Sequence, residues 1–210
     1  METIFKNEAD QISRENEISK DGNYSKIILS NNEIIQEEIF ENGVLSRITV
    51  FIDGNQNHDS ILKNDTFLGN YILVGERKTI GDFKYEKVFD YGNSHTLKSI
   101  YTVVCDKHGN HIAHSYTEDL VNEIPYWNAT KKYYFDSSIR PNGSLFECVF
   151  DDDGKLIPIT IEIEELNMGD HDGTWIYDDE DGIEELMQIT GMSKELAQYY
   201  LSTEIIPNFN

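Results

Sequence analysis

The sequence predicts an α+β fold, mainly an antiparallel β-sheet built from hairpin units, with two short C-terminal helices. Tyrosine (12) and phenylalanine (10) are frequent among the 210 residues, and aromatic side chains favour a pleated, half-buried surface. Glycine-containing turns recur between strand-like runs, and capping residues frame two helical patterns near the end. With 39% hydrophobic residues, the chain is long enough to bury one core of ordinary size.

Residues 1–20 predict a weak helix or a loose arm, because the segment is polar. Its few large apolar side chains are Ile4, Phe5, Ile12 and Ile18. No basic stretch precedes an apolar run, so we expect no signal peptide. No apolar run approaches the ~20 residues of a membrane-spanning helix. The expected location is the cytoplasm.

Residues 21–182 are predicted to form the antiparallel β domain, because a loose hairpin repeat runs through them. The first copy covers residues 40–55, the second residues 135–155, and a degraded third residues 89–110. Leu45 and Gly54 are nine positions apart in the sequence, as are Leu145 and Gly154. Isolated hairpins are marginal in water, so the copies should pair side by side. Positive φ angles are expected at the turn glycines Gly43, Gly54, Gly92, Gly109, Gly143 and Gly154.

The clearest single strand is Ile157–Glu164, in which isoleucine alternates with other residues. This period of two predicts one buried face and one wet, acidic face that carries Glu162 and Glu164. Pro158 lacks an N–H group, which favours an edge position or the start of the strand.

Residues 183–210 are predicted to form a helical hairpin that packs on the same domain. Ile183–Ile189 has a helical pattern closed by Gly191, and Ser193 caps a second helix over Lys194–Ser202. Pro207 stops any continuation. The expected contacts come from Leu186, Met187, Met192, Leu196, Tyr199, Tyr200 and Leu201.

The acidic segment 151–187 is the strongest functional signal. It holds fourteen carboxylates and one lysine, and therefore −13 of the total charge of −22. Large apolar side chains interleave the acids, which predicts a folded negative surface rather than a disordered tail. Such a field repels nucleic acid and anionic membranes and attracts basic proteins.

Aromatic residues flanked by acidic residues predict where a partner binds, since tryptophan and tyrosine are enriched in binding hot spots. Trp175 and Tyr177 lie between two acidic clusters, and Tyr126 has a comparable neighbourhood. The alternative is that these aromatics belong to the core. The predicted partner-binding residues are Asp151, Asp152, Asp153, Glu162, Glu164, Asp170, Asp172, Trp175, Tyr177, Asp178, Asp179 and Asp181.

Three Asp-x-Asp-Gly clusters have the oxygen density that calcium prefers: Asp151–Gly154, Asp170–Gly173 and Asp179–Gly182. An EF-hand loop needs glutamate at its twelfth position, where this chain has Thr160, Asp179 and Gln188. Because Asp-Gly also forms turns, we expect turns at these clusters and no metal site.

Cys105 and Cys148 each lie in a strand-like run before an acidic turn, and we expect buried thiols rather than a disulfide. The run Cys105-x-x-His108-x-x-His111-x-x-His114 contains zinc-ligand types. Residues 106–110 nevertheless resemble a hairpin turn, and residues three apart in a strand face opposite ways. His111 and His114 are therefore not expected to converge, and surface histidines are favoured over zinc.

Catalytic motifs are absent from the sequence. There is no Gly-x-Ser-x-Gly, His-Glu-x-x-His, P-loop or Gly-x-Gly-x-x-Gly. Carboxylate pairs such as Glu162 and Glu164 occur in any acidic chain, and a sequence cannot show the cleft that a glycosidase needs. We expect neither catalytic residues nor a cofactor.

The hairpin units resemble, loosely, the glycine-turn repeats of MORN-like antitoxins, and the chain is similar in size and charge to immunity proteins of bacterial polymorphic toxins. The similarity covers residues 40–55, 89–110 and 135–155; a regular short period and a recurrent Tyr-x-Gly dipeptide are missing. The resemblance implies a cytoplasmic inhibitor of one toxin, with no catalytic residues.

The leading hypothesis is an acidic immunity or inhibitor protein that occludes a basic toxin, nuclease or other nucleic-acid-acting enzyme. One alternative is a DNA mimic, which requires two long rows of carboxylates. Another is a carboxylate-dependent enzyme that acts on a cationic or sugar substrate. It requires a concave pocket that holds a carboxylate with a strongly raised pKa. A third is a calcium-stabilised structural module.

Overall fold

A computed structural model describes residues 1–9, 11–52, 56–63, 66–92, 95–139, 143–161 and 174–207. Most of its regular structure is strand, largely antiparallel, with short helices, so the α+β prediction is confirmed. The chain forms two compact units, one from Met1–Arg77 and Glu86–Ile100, the other from Lys78–Tyr85 and Tyr101–Asn210. The predicted boundaries at residues 21 and 183 stay predictions.

The strands of the described residues are short to medium in length. They are β1 (Glu2–Asn7), β2 (Ile12–Ser13), β3 (Tyr24–Ser30), β4 (Glu33–Glu41), β5 (Val44–Phe51), β6 (Asn70–Ile80), β7 (Phe83–Tyr91), β8 (Leu97–Cys105), β9 (His111–Asp119), β10 (Ile124–Tyr134), β11 (Phe146–Val149), β12 (Ile159–Ile161) and β13 (Thr174–Ile176). The helices are α1 (His58–Lys63), α2 (Glu180–Thr190) and α3 (Lys194–Leu201), with a 3-10 turn at Glu15–Glu17. No helix in these ranges has the length and apolarity needed to cross a bilayer.

In the first unit, β2, β1, β3, β4, β5 and β6 are hydrogen-bonded in that order. Consecutive positive φ angles at Asn31 and Asn32, and at Asn42 and Gly43, form the tight turns of the two hairpins. β5 and β6 pair in parallel, which the sequence did not indicate. Parallel neighbours need a crossover, and α1 lies on that connection.

The prediction of a weak helix or loose arm at residues 1–20 is wrong. β1 pairs with β3 along its whole length, with Ile4 opposite Ile27. The Phe5 ring lies 6.5 Å from that of Tyr24. Pairing gives the N–H and C=O groups of β3 hydrogen-bond partners and covers apolar side chains. This stabilisation outweighs the weak strand preference of a polar segment.

In the second unit, the antiparallel strands β8, β9, β10 and β11 carry the core on one face. Phe146 of β11 packs against Tyr200 of α3 at a ring distance of 5.5 Å. α2, α3 and the β12–β13 pair contribute to the same core, which includes Val104, Ala113, Leu145, Cys148, Phe150, Ile159, Ile161, Ile176, Leu186, Met192, Ala197, Tyr199 and Leu201.

The two C-terminal helices are confirmed. The Ser193 side chain accepts a hydrogen bond from the N–H group of Leu196, and α2 ends at Gly191, whose φ is +70°. Leu186, Met192, Tyr199, Tyr200 and Leu201 are buried as expected, while Met187 and Leu196 are partly buried against the same core.

The turn glycines agree with the prediction at four positions. The φ angles of Gly43, Gly109, Gly143 and Gly154 lie between +73° and +87°. Gly92 has no positive φ, so the expectation is wrong there. Gly54 lies outside the described residues.

The alternation predicted for Ile157–Glu164 is confirmed over β12, where Ile159 and Ile161 are buried and Thr160 is exposed. Pro158 directly precedes the strand, as expected for a residue without an N–H group. Ile157 is 47% exposed, because it belongs to the connection before β12, where its N–H group binds the carbonyl of Val149.

Candidate binding surfaces

The predicted partner-binding residues that the structure describes fall into two places in the second unit. Asp151, Asp152 and Asp153 form the turn after β11. The other residues lie between Trp175 and Asp181, a segment that runs from within β13 to the start of α2. Glu162, Glu164, Asp170 and Asp172 lie outside the described residues.

At the acidic turn, Asp151 has a structural role. Its Oδ1 atom accepts hydrogen bonds from the N–H groups of Asp153 at 3.0 Å and Lys155 at 2.8 Å. Gly154 closes the turn with φ +78° and an N–H bond to the Asp151 carbonyl. The prediction of a turn is confirmed here. Asp152 and Asp153 are exposed at this turn, whereas Asp151 is half-buried.

An irregularity in β10 brings aromatic residues to this turn. Between the pairs Tyr126–Tyr116 and Lys131–His114, β10 advances five positions while β9 advances two. Within the extra length, the Nδ2 atom of Asn128 donates to the Tyr126 hydroxyl at 2.9 Å and to Asp152. We call Tyr126, Asn128, Asp152 and Asp153 the turn surface.

Trp175, Tyr177, Asp178, Glu180 and Asp181 form a second surface, which we call the helix-start surface. Ile176 is fully buried, so its neighbours in the extended chain face outward: Trp175 is 58% exposed and Tyr177 49%. The alternative that these two aromatics are core residues is therefore wrong.

The start of α2 explains the local conformation of the helix-start surface. Asp179 is the N-cap, and its side chain accepts from the N–H group of Gly182 at 2.9 Å. A Cβ atom at Gly182 would lie 2.1 Å from the carbonyl oxygen of Tyr177, so only glycine permits this approach. The prediction of a turn at Asp179–Gly182 is wrong, because these residues begin a helix.

The two surfaces lie near opposite ends of α3. Lys194, its first residue, binds Glu180 of the helix-start surface. Thr203, just beyond its last residue, lies beside Gly154 of the acidic turn. The eight residues of α3 correspond to a helix about 12 Å long. The described carboxylates therefore form two groups, each with its own aromatic neighbour, rather than one cluster.

The sheet face opposite the core carries histidine and tyrosine. The His111 and His114 rings lie 5.4 Å apart, and the Tyr116 ring lies 5.8 Å from that of His114. Burial and the neighbouring His111 and Lys131 lower the pKa of His114. The expectation that His111 and His114 point apart is wrong.

A β-bulge causes this convergence. Val104 pairs with Ala113, but the next residue, Cys105, pairs with His111 and leaves Ile112 as the extra residue. Ile112 and Ala113 are consecutive and both buried, which shifts the alternation by one position. His111 and His114 therefore share the outer face although they are three residues apart.

The core face of β10 holds a lysine that sequence reasoning missed. Lys132 has no exposed surface, and its ammonium group donates to the Tyr199 carbonyl and lies 3.8 Å from the centre of the Tyr199 ring. Burial lowers the pKa of Lys132 to about 7. Cys148, its cross-strand partner, is fully buried, and burial raises the pKa of its thiol to about 12.

Cys105 and Cys148 are both free thiols, as predicted, although Cys105 is only partly buried. Within the described ranges, no three side chains among His, Cys, Asp and Glu converge as metal ligands. No family model, curated protein or solved structure matches this chain.

Proposed function

We propose that this chain is an acidic binding protein that inhibits a basic partner by covering its active site, as an immunity protein does. The observation that carries the proposal is the helix-start surface, where Trp175 and Tyr177 are exposed beside the carboxylates that open α2. Large exposed aromatics framed by charge are typical of binding hot spots with electrostatic steering.

The carboxylates of this surface have different duties. Asp179 caps α2, and Glu180 is bound by Lys194. Asp178 and Asp181 are exposed and form no ion pair with a described residue. In the proposed mechanism, these two carboxylates pair with the lysine or arginine side chains with which the partner would otherwise grip phosphate.

The class of partner follows from charge. At −22, the chain repels nucleic acid and anionic lipid and attracts a basic protein such as a toxin or nuclease. The proposed location is the cytoplasm, where the free thiols of Cys105 and Cys148 would stay reduced.

Replacement of Asp178, Asp179 and Asp181 by asparagine is expected to slow association about tenfold at low salt and to flatten its salt dependence. Asparagine caps helices as well as aspartate does, so α2 should persist. The partner is first captured from the native host at low and high salt and identified, and association rates are then measured with the purified protein.

The matched control removes the same charge from the first unit, by replacing the exposed residues Glu2, Glu15 and Glu33 with glutamine. A loss of rate confined to the asparagine variant would support the helix-start surface. Equal rates for the two triple variants would show that only the net charge matters and would refute this interface.

A further inference from the structure

We propose that His111 and His114 form a surface binding site for a divalent transition-metal ion such as zinc. The site consists of two imidazoles on the outer face of β9, brought together by the bulge at Ile112. It is separate from both acidic surfaces and does not depend on the proposed inhibition.

The distance between the two rings fits a shared ion. A Zn–N bond of about 2.1 Å places the metal ~3.2 Å from each ring centre, and a tetrahedral angle then separates the two centres by ~5.2 Å. The observed separation is 5.4 Å. Because rotation about the Cβ–Cγ bond hardly moves a ring centre, this separation is compatible with one nitrogen of each ring binding a common ion.

The bulge gives the pair a fixed backbone. Ile112 is 2% exposed and Ala113 is fully buried, so the strand is anchored in the core at the extra residue and at the residue that follows it. His111 is exposed and His114 half-buried, which leaves the outer side of the pair open to solvent. Bulges often re-aim side chains at functional sites.

Other described histidines have different roles. The Nδ1 atom of His58 is 2.9 Å from the Tyr91 hydroxyl, and the Nε2 atom of His95 is 2.8 Å from the Phe67 carbonyl oxygen. His108 is exposed in the turn before β9. His111 and His114 instead have each other as neighbours, next to Tyr116.

The charges near the pair permit a cation. Lys131 lies opposite His114 in the strand register, and its ammonium group is bound to Glu147 at 2.6 Å. Glu147 therefore balances the charge of Lys131. Since no third protein ligand converges in the described ranges, water fills the remaining positions, as at open zinc sites.

The chemistry of the donors selects the metal. Neutral imidazole suits zinc, copper and nickel, whereas carboxylate-rich surfaces hold magnesium and calcium. Copper should bind more tightly than zinc, following the usual order of divalent ions. Excess magnesium therefore competes with zinc at surface carboxylates but not at the histidine pair.

The test is zinc titration of the intact protein in excess magnesium, with competition by a colorimetric chelator. One equivalent is expected to bind, and His111→Gln should weaken it roughly hundredfold, because the second imidazole binds intramolecularly. His114→Gln should have the same effect. His111 is exposed, so its replacement should leave the near-ultraviolet circular dichroism unchanged.

His108→Gln is the matched control, since it removes a histidine from the same hairpin but not from the pair. Unchanged zinc affinity in this variant, together with the loss in His111→Gln, would support the site. The proposal is overturned if the wild type binds zinc no better than His111→Gln does, or if His108→Gln loses as much affinity.

Discussion

Replacement of Lys132 by methionine is expected to raise the free energy of unfolding by about 2–4 kcal/mol near pH 6. Lys132 is fully buried, and desolvation outweighs its attractive neighbours, the thiol of Cys148 and Glu204, so its pKa falls to about 7. Methionine fills a similar volume without charge. The Tyr199 carbonyl keeps a hydrogen bond from the Ser202 hydroxyl at 3.2 Å.

The pH dependence gives the sharper readout. Below about pH 7, Lys132 is protonated in both the folded and the unfolded protein, so burial of the charge lowers the free energy of unfolding by its full amount. In the unfolded protein, lysine has a pKa of ~10.4. Between these values the unfolded state binds more protons, so the stability of the wild type rises with pH. Above about pH 10.5 this cost has vanished, and the two proteins should be nearly equally stable.

Urea unfolding at several pH values measures both effects. Lys131→Met is the matched control, because the Lys131 side chain is 40% exposed and forms its ion pair with Glu147 at the surface. It should change stability by less than about 1 kcal/mol. If the stability difference between Lys132→Met and the wild type stays constant from acid to alkaline pH, the depressed pKa is wrong.

Replacement of Trp175 by alanine is expected to weaken binding of the basic partner by about 2–4 kcal/mol, at least thirtyfold in Kd. The indole is 58% exposed in the free protein, so its removal should leave the unfolding free energy within about 0.5 kcal/mol. The loss should lie mainly in the dissociation rate. The triple asparagine variant, in contrast, should lower the association rate.

Leu68→Ala serves as the control, because Leu68 is 62% exposed and lies in the first unit. Trp175→Phe should restore part of the affinity by keeping an aromatic ring. Dissociation of the alanine variant at the wild-type rate would place the anchor elsewhere and remove the central argument for the helix-start surface.

Features with local causes were predictable from the sequence. The glycine cap at Gly191 and the serine cap at Ser193 bound α2 and α3 as expected, because capping depends on a few adjacent residues. The turns at Gly43, Gly109 and Gly154 follow from the same local chemistry. Trp175 and Tyr177 are exposed, as the interpretation of these aromatics as surface residues requires, while their role in binding stays a prediction.

Features that depend on strand pairing were not predictable. β1 is a strand because β3 is available to it, not because its own residues demand one. The bulge at Ile112 places His111 on the same face of the sheet as His114. A sequence pattern of alternating residues cannot reveal one inserted residue. For the same reason, neither the meeting of Asn128 and Asp152 nor the burial of Lys132 rather than Lys131 was foreseen.

Because Cys148 is fully buried, its reaction with an alkylating reagent reports local unfolding of the second unit. Its thiol is fully enclosed and its pKa is raised to about 12, so alkylating reagents should reach it only when the surrounding sheet comes apart. Cys105, which is partly accessible, should react first. The slow second modification would time how often the native molecule opens, without denaturant or an added label.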